Sequence, residues 1–257
     1  MQTEVRGLVI RTVDIRESDR LITIFTEEMG VVSAMARGAR SLKSRKMSST
    51  MQFCYSNFIL HMQGDKYWIK ESSLIESFFD IRKTIEGLSL ANYIAEVLSD
   101  VTIAEADRDL LRLSLNSLYA IASGKYDISK IKAVFEIRAS SILGFMPDII
   151  ACNRCGERLG EFFFDIMAGN VECHKCRRDA ELKKMDTLDP HESKIICILS
   201  EGAKMALEYA IYSPLDKLFS FKISDEDMRL FSRAAEEYLL NQIGHTYKTL
   251  EFYKKIT

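Results

Sequence analysis

The sequence predicts a multidomain α+β protein: a small N-terminal β-barrel of five strands, followed by a mostly helical domain that carries a four-cysteine module. Three observations carry that prediction. The first eighty residues hold short runs rich in β-branched and aromatic residues, separated by turn residues, which is the pattern of strands. From Ile81 onward apolar residues recur at three- and four-residue intervals, the period of an amphipathic helix. Inside the helical region two Cys-x-x-Cys pairs face each other across 17 intervening residues. The expected division is 1–80 for the barrel, 81–149 for the first part of the helical domain, 150–180 for the cysteine module and 181–257 for the second helical part.

In the barrel, Val5 to Ile15 and Leu21 to Thr26 read as the first two strands, and Glu27-Glu28-Met29-Gly30 turns the chain into a third, Val31 to Ala36. Phe53 to Met62 and Tyr67 to Ile75 flank Gln63-Gly64-Asp65, a good hairpin connection. Five short strands with a long loop between the third and fourth indicate a closed barrel of the OB-fold type, a fold that commonly binds oligonucleotides.

That long loop concentrates charge. The chain as a whole has a net charge of only −2, so any preference for a charged partner must come from distribution. Arg37-Gly38-Ala39-Arg40-Ser41-Leu42-Lys43-Ser44-Arg45-Lys46 holds five cations and no acid. Arg37, Arg40, Lys43, Arg45 and Lys46 are the candidate phosphate contacts, with Arg11, Arg16 and Arg20 as secondary candidates in the barrel. Neutralised phosphates release counterions, which gives salt-sensitive binding without sequence readout. The competing reading is a solvated loop that blocks edge-to-edge sheet pairing. Tyr55, Tyr67 and Trp68 are aromatic enough to stack on bases, although strand alternation sends about half of such residues into the core.

Helical periodicity begins with Leu88, Tyr93, Ile94, Val97 and Leu98 and repeats from Ala106 to Ala122. Asp127 or Ser129 caps a third helix that stops near Gly144 and Pro147. Asp189-Pro190-His191-Glu192 reads as an N-cap opening a helix that reaches about Tyr212. Ser224 with Asp225-Glu226-Asp227 opens another that runs to Gly244.

Cys152, Cys155, Cys173 and Cys176 are the four cysteines of the module. Each knuckle turns two thiolates onto one point, and four thiolates close a tetrahedral zinc shell, so one structural zinc ion is expected. Disulfides and a dithiol redox centre are the alternatives. No dense cysteine framework or signal sequence accompanies the first, and the second needs no matched pair of knuckles. His174 lies inside the second knuckle, where a solvated turn residue is the simpler reading. With sulfur at every position the ion has no open site for water, so no catalytic role is expected of the metal. The acidic pairs Glu27-Glu28 and Asp225-Glu226-Asp227 fit turns and helix N-termini, so no enzyme activity is expected. Cys54 and Cys197 stand among apolar neighbours as buried thiols. No transmembrane-length run occurs, and Met1-Gln2-Thr3-Glu4 lacks the basic start of a leader, so a cytoplasmic protein is expected.

Several of these stretches together resemble the RecO family of bacterial recombination mediators. The resemblance rests on Ser18-Asp19-Arg20-Leu21 leading to Phe25-Thr26-Glu27-Glu28-Met29-Gly30, on Ala36-Arg37-Gly38-Ala39-Arg40 with Lys43-Ser44-Arg45, and on Gly144-Phe145-Met146-Pro147 ahead of the cysteine pairs. It implies an OB-fold, a helical region with a zinc module, and no turnover. It implies binding of single- and double-stranded DNA and annealing of complementary strands. It also implies action with RecR in loading RecA onto DNA coated by single-stranded-DNA-binding protein, with capture of that protein's acidic, apolar C-terminal tail. One departure stands out: the family pattern has Leu-Gln-Pro-Phe after the basic loop, and this chain has Met51-Gln52-Phe53. A protein-interaction scaffold without DNA affinity and a zinc-ribbon nuclease or transferase are the other classes the residues leave open.

Overall fold

The computed structural model describes residues 2–15, 17–101, 107–184 and 195–257. Chain contacts divide it into two compact units, residues 1–125 with 247–257 and residues 126–246. The first begins with β1 (Gln2–Ile15), β2 (Asp19–Thr26) and β3 (Gly30–Ala36), a short helix α1 (Lys46–Ser49), β4 (Cys54–Gln63) and β5 (Lys66–Ser77). These form a closed barrel in the order β1-β2-β3-β5-β4, all antiparallel except the β3–β5 closure. This is the five-stranded barrel that the strand pattern predicts, and each expected strand lies within a few residues of the observed one.

The barrel closes because its strands alternate. Val5, Val9, Ile22, Ile24, Ala34, Phe58, Leu60 and Ile69 are buried together in one apolar cluster, and their removal from water is the main force holding the strands. Gly7 permits the tight β1–β2 approach, since a Cβ there would meet Ile24 Cγ2 at 2.4 Å and the Phe25 carbonyl at 2.7 Å. A register shift between Val9 and Arg11 bends β1, and the freed Ile10 carbonyl accepts from Gln52 Nε2 at 3.1 Å.

Beside Gln52 the backbone takes an unusual form: Phe53 is the one non-glycine residue with positive φ among the described residues, at 64°. That conformation costs energy for a side chain with a Cβ. It is held because the Phe53 amide donates to the Val9 carbonyl at 2.8 Å, its carbonyl accepts from the Phe78 amide at 3.3 Å, and its ring is 1% exposed.

A 3₁₀ turn at Phe79–Lys83 leads into α2 (Ile85–Val101) and α3 (Arg108–Ser123). Asp107 caps α3 by accepting from the Leu110 amide.

The second unit opens with α4 (Ile128–Ile142), capped by Asp127, the first of the two caps read from the sequence, because Asp127 accepts from the amides of Ser129 and Lys130. Strands β6 (Phe162–Asp165) and β7 (Asn170–Cys173) and helix α5 (His174–Lys184) follow, then β8 (Ile196–Leu199), α6 (Glu201–Tyr212) and α7 (Asp225–Ile243). The three strands form a sheet in the order β7-β6-β8.

Here the sequence reading is corrected. It placed one helix from Asp189 to Tyr212, but Ile196-Cys197-Ile198-Leu199 is a strand paired with β6, and the helix starts at Ser200, whose hydroxyl accepts from the Ala203 amide. A four-residue apolar run with two β-branched residues suits a buried strand as well as a helix, and the sheet decides it. The cap read at Asp189 to Glu192 lies outside the described residues. Ser224 caps α7, and Gly244 ends it at φ 86°. α4, α6 and α7 share a core that includes Phe135, Leu207, Phe231 and Leu239.

Within that core Lys132, 2% exposed, reaches Glu136 Oε1 of its own helix at 2.8 Å and Glu236 Oε2 of α7 at 2.7 Å. The final helix, α8 (Lys248–Ile256), belongs to the first unit. There Tyr247 donates to Asp100 Oδ2 at 2.9 Å, and the Thr249 amide donates to Glu96 Oε2 at 3.1 Å. No described helix is long and apolar enough to cross a membrane.

Candidate metal centre and nucleic-acid interface

In the second unit the metal candidates come together. The first knuckle, Cys152 to Cys155, is a turn closed by the Gly156 amide donating to the Cys152 carbonyl at 3.0 Å. It is fastened to the sheet by the Asn153 amide donating to the Val171 carbonyl at 2.9 Å. The second knuckle spans the end of β7 and the start of α5, so Cys173 sits on a strand and Cys176 one turn into a helix.

The four Sγ atoms lie within 4.8 Å of one another, and Cys155 Sγ is 3.6 Å from Cys173 Sγ. Zinc–sulfur bonds of about 2.3 Å in a tetrahedron place sulfurs about 3.8 Å apart, so the cluster fits one zinc ion. The Cys173 amide donates to Cys152 Sγ at 3.3 Å, the kind of outer contact that orients a thiolate for a metal.

The protons follow the same geometry. Burial pushes Cys152 up, but amide donation from Cys173, Arg154 and Cys155 outweighs it and brings the thiol to about 6. Cys176 is pushed up to about 12, chiefly by its hydrogen bond with Cys155 and then by burial. His174 is exposed and packs on Phe163, ring centroids 6.0 Å apart. It is not one of the four converging groups.

In the barrel the predicted cations do not form one set. Lys43 and Arg45 are exposed and, among the described residues, have no ion-pair partner. Arg37 is exposed and stacked on Trp68, 4.0 Å from the ring centroid. Arg11 is exposed on β1. Arg20 and Arg40 are held instead by one carboxylate: Arg20 Nε meets Asp14 Oδ1 at 2.9 Å and Arg40 Nε meets Asp14 Oδ2 at 3.2 Å. The hydrogen bond from Arg20 keeps Asp14 below its ordinary pKa against a small opposing effect of burial, with the charges of Arg20 and Arg40 adding to it.

Lys46 turns inward, donating to the Ile69 carbonyl at 2.7 Å, and burial lowers its pKa although Glu71 opposes that. Arg16 lies outside the described residues. The loop leaves the barrel through fixed contacts, with the Arg40 amide donating to the Ser18 carbonyl at 3.0 Å.

Sequence reasoning missed two further cations, Lys66 and Lys70, which alternate with Trp68 on β5. Period-two spacing around an aromatic residue was the signal available. Of the three aromatic candidates, Tyr67 packs against the barrel core and Tyr55 donates its hydroxyl to Glu27 Oε1.

Two family models match the chain. Residues 1–78 match the family described as Recombination protein O N terminal, and residues 82–186 match Recombination protein O C terminal. A DNA repair protein RecO of Acetivibrio thermocellus is 34% identical over 252 residues, covering 97% of this chain and 95% of that protein. The RecO of Caldicellulosiruptor saccharolyticus is 27% identical over 256 residues, covering 98% of each chain. That of Clostridium kluyveri is 31% identical over 179 residues, covering 68% of this chain and 69% of its own. A barrel, a helical unit, four converging thiols and a relative matched along nearly its whole length make this chain a member of the RecO family.

Proposed function

We propose that this chain is a non-enzymatic DNA-binding mediator of recombinational repair. It holds single- and double-stranded DNA by the phosphate backbone, anneals complementary strands and, with RecR, assists RecA in loading onto DNA coated with single-stranded-DNA-binding protein. The names of its relatives support the repair role, as DNA repair proteins. The observation that carries DNA binding is the loop itself, where Lys43 and Arg45 stand exposed without an acidic partner among the described residues. Such cations follow a backbone without reading bases, and during annealing they screen the repulsion between two approaching strands.

The zinc site contributes a fold staple to this reading. Cys152, Cys155, Cys173 and Cys176 would hold the ion, whose bond energy fixes the β7–α5 junction and both knuckles. For the acidic, apolar tail of single-stranded-DNA-binding protein, a groove of about 380 Å³ between α2 and α8 has matching chemistry. Ile85, Leu88 and Phe252 supply apolar walls and Lys248 a cation.

The test is fluorescence-monitored binding of a short single-stranded oligonucleotide across a salt series, with the wild type beside a Lys43→Gln/Arg45→Gln variant. The variant is expected to lose affinity, and its salt slope to flatten by about 1.4, at roughly 0.7 per phosphate contact. An unchanged slope rejects the loop as the phosphate contact, and absence of wild-type binding at low salt favours a protein-interaction scaffold.

A further inference from the structure

A second group of cations in the barrel surrounds an aromatic ring. On β5, Ile69 lies in the core cluster and Tyr67 packs against it, so alternation sends Lys66 and Trp68 to the opposite, outer face, and Lys70, at the register shift opposite Ile59 and Leu60, is exposed. Trp68 is partly exposed and pairs across the sheet with His61 of β4 and Met35 of β3. The Arg37 guanidinium lies 4.0 Å from its ring centroid, and Lys70 Nζ lies 3.5 Å from Gln2 Oε1. Among the described residues no carboxylate pairs with Arg37, Lys66 or Lys70.

Cations alone attract duplex and single strand alike. An aromatic plane discriminates between them, because only a single strand presents an unstacked base face. The geometry points to the outer barrel face around Trp68 as a subsite selective for single-stranded nucleic acid. One base stacks on Trp68 in the place that Arg37 occupies in the free protein, while Arg37, Lys66 and Lys70 take the adjoining phosphates. The exchange is balanced in kind: the ring stays covered, and the guanidinium trades a π face for an anionic oxygen that its planar fork matches better. This inference rests on the DNA-binding reading above and adds strand type to it.

Trp68 is the only tryptophan in the chain, so its emission reports on the subsite without a label. Titration of the wild type with a thymidylate oligonucleotide is expected to change that emission saturably, and a duplex of equal length to leave it unchanged. Trp68→Ala should lower single-strand affinity about tenfold or more, in line with one lost base stack, and leave duplex affinity within about twofold, since phosphate contacts persist. Trp68→Phe keeps a ring and should retain most of the single-strand affinity.

Lys66→Gln/Lys70→Gln retains the tryptophan and should flatten the single-strand salt slope by about 1.4, a result that does not depend on how the Trp68 variants fold. Equal losses for both nucleic acids in Trp68→Ala, or unchanged wild-type emission at saturating single strand, overturn the subsite and leave the basic-loop reading standing. A wild type that binds neither nucleic acid at low salt overturns both.

Discussion

Asp19 Oδ1 accepts a hydrogen bond from the Gly38 amide at 2.9 Å, joining the start of β2 to the first residues of the basic loop. Gly38 adopts φ 66° to present that amide, a conformation glycine takes without penalty. Two stretches of the family resemblance, around Ser18-Asp19 and around Arg37-Gly38, are therefore one contact in space. Asp19→Ala removes the acceptor and should cost about 1 kcal/mol of stability, read as a lower denaturation midpoint with faster amide exchange at Gly38 and Arg40. An unchanged midpoint and unchanged exchange would show that the loop is fixed by other means.

Asp14 competes with phosphate for two arginines. Asp14→Asn should release Arg20 and Arg40 from the carboxylate, with Arg40 still donating to the Glu17 carbonyl, raise DNA affinity and steepen the single-strand salt slope by up to about 1.4. Because Arg20 lowers the Asp14 pKa in the fold, the carboxylate's contribution to stability is complete above its unfolded value of about 3.9 and is lost as pH falls through the lowered folded value. The arginines are thus masked throughout the neutral range. Weaker binding by Asp14→Asn would instead make the carboxylate a support for the arginines.

Zinc affinity should fall as pH falls. Four thiolates are needed, and the metal-free Cys176 thiol, pushed up to about 12, is protonated at neutral pH, so binding expels protons and added protons oppose it. Competition with a chromophoric chelator at about pH 8 and about pH 6 should show one ion per chain and weaker binding at the lower pH. Chelation should also lower the melting temperature of the loaded protein. Affinity independent of pH would exclude a thiolate site.

Lys132→Met should destabilise by about 3–5 kcal/mol, because it strips the cation from Glu136, which is fully buried, and from Glu236. In the wild type, burial alone would lower the Lys132 pKa, but the two carboxylates raise it. Its stabilising contribution is therefore present below about 10.4, the unfolded value, and is lost as pH rises through the raised one. Urea unfolding of Lys132→Met against Lys132→Met/Glu136→Gln measures the coupling. No recovery in the double variant would show that the pair is not the source of the loss.

The barrel was legible because half-buried strands alternate with period two and its turns carry Gly and Asp. The cysteine knuckles were legible because their spacing is itself the geometry of a metal shell. What escaped was whatever depends on residues distant in sequence. Nothing local distinguishes Ile196 to Leu199 from a helical turn until β6 supplies its partner. Likewise nothing around Arg40 announces Asp14, 26 positions earlier, so a run of five cations read as uniform when its members differ in what they already hold.

The return of α8 to the first unit sets an order on synthesis. Asp100 and Glu96 of α2 accept from Tyr247 and Thr249, and those two residues leave the ribosome only after the whole of the second unit. A nascent chain halted at residue 125 therefore carries a barrel with its helical companion unfinished. The first-made unit is the last one completed.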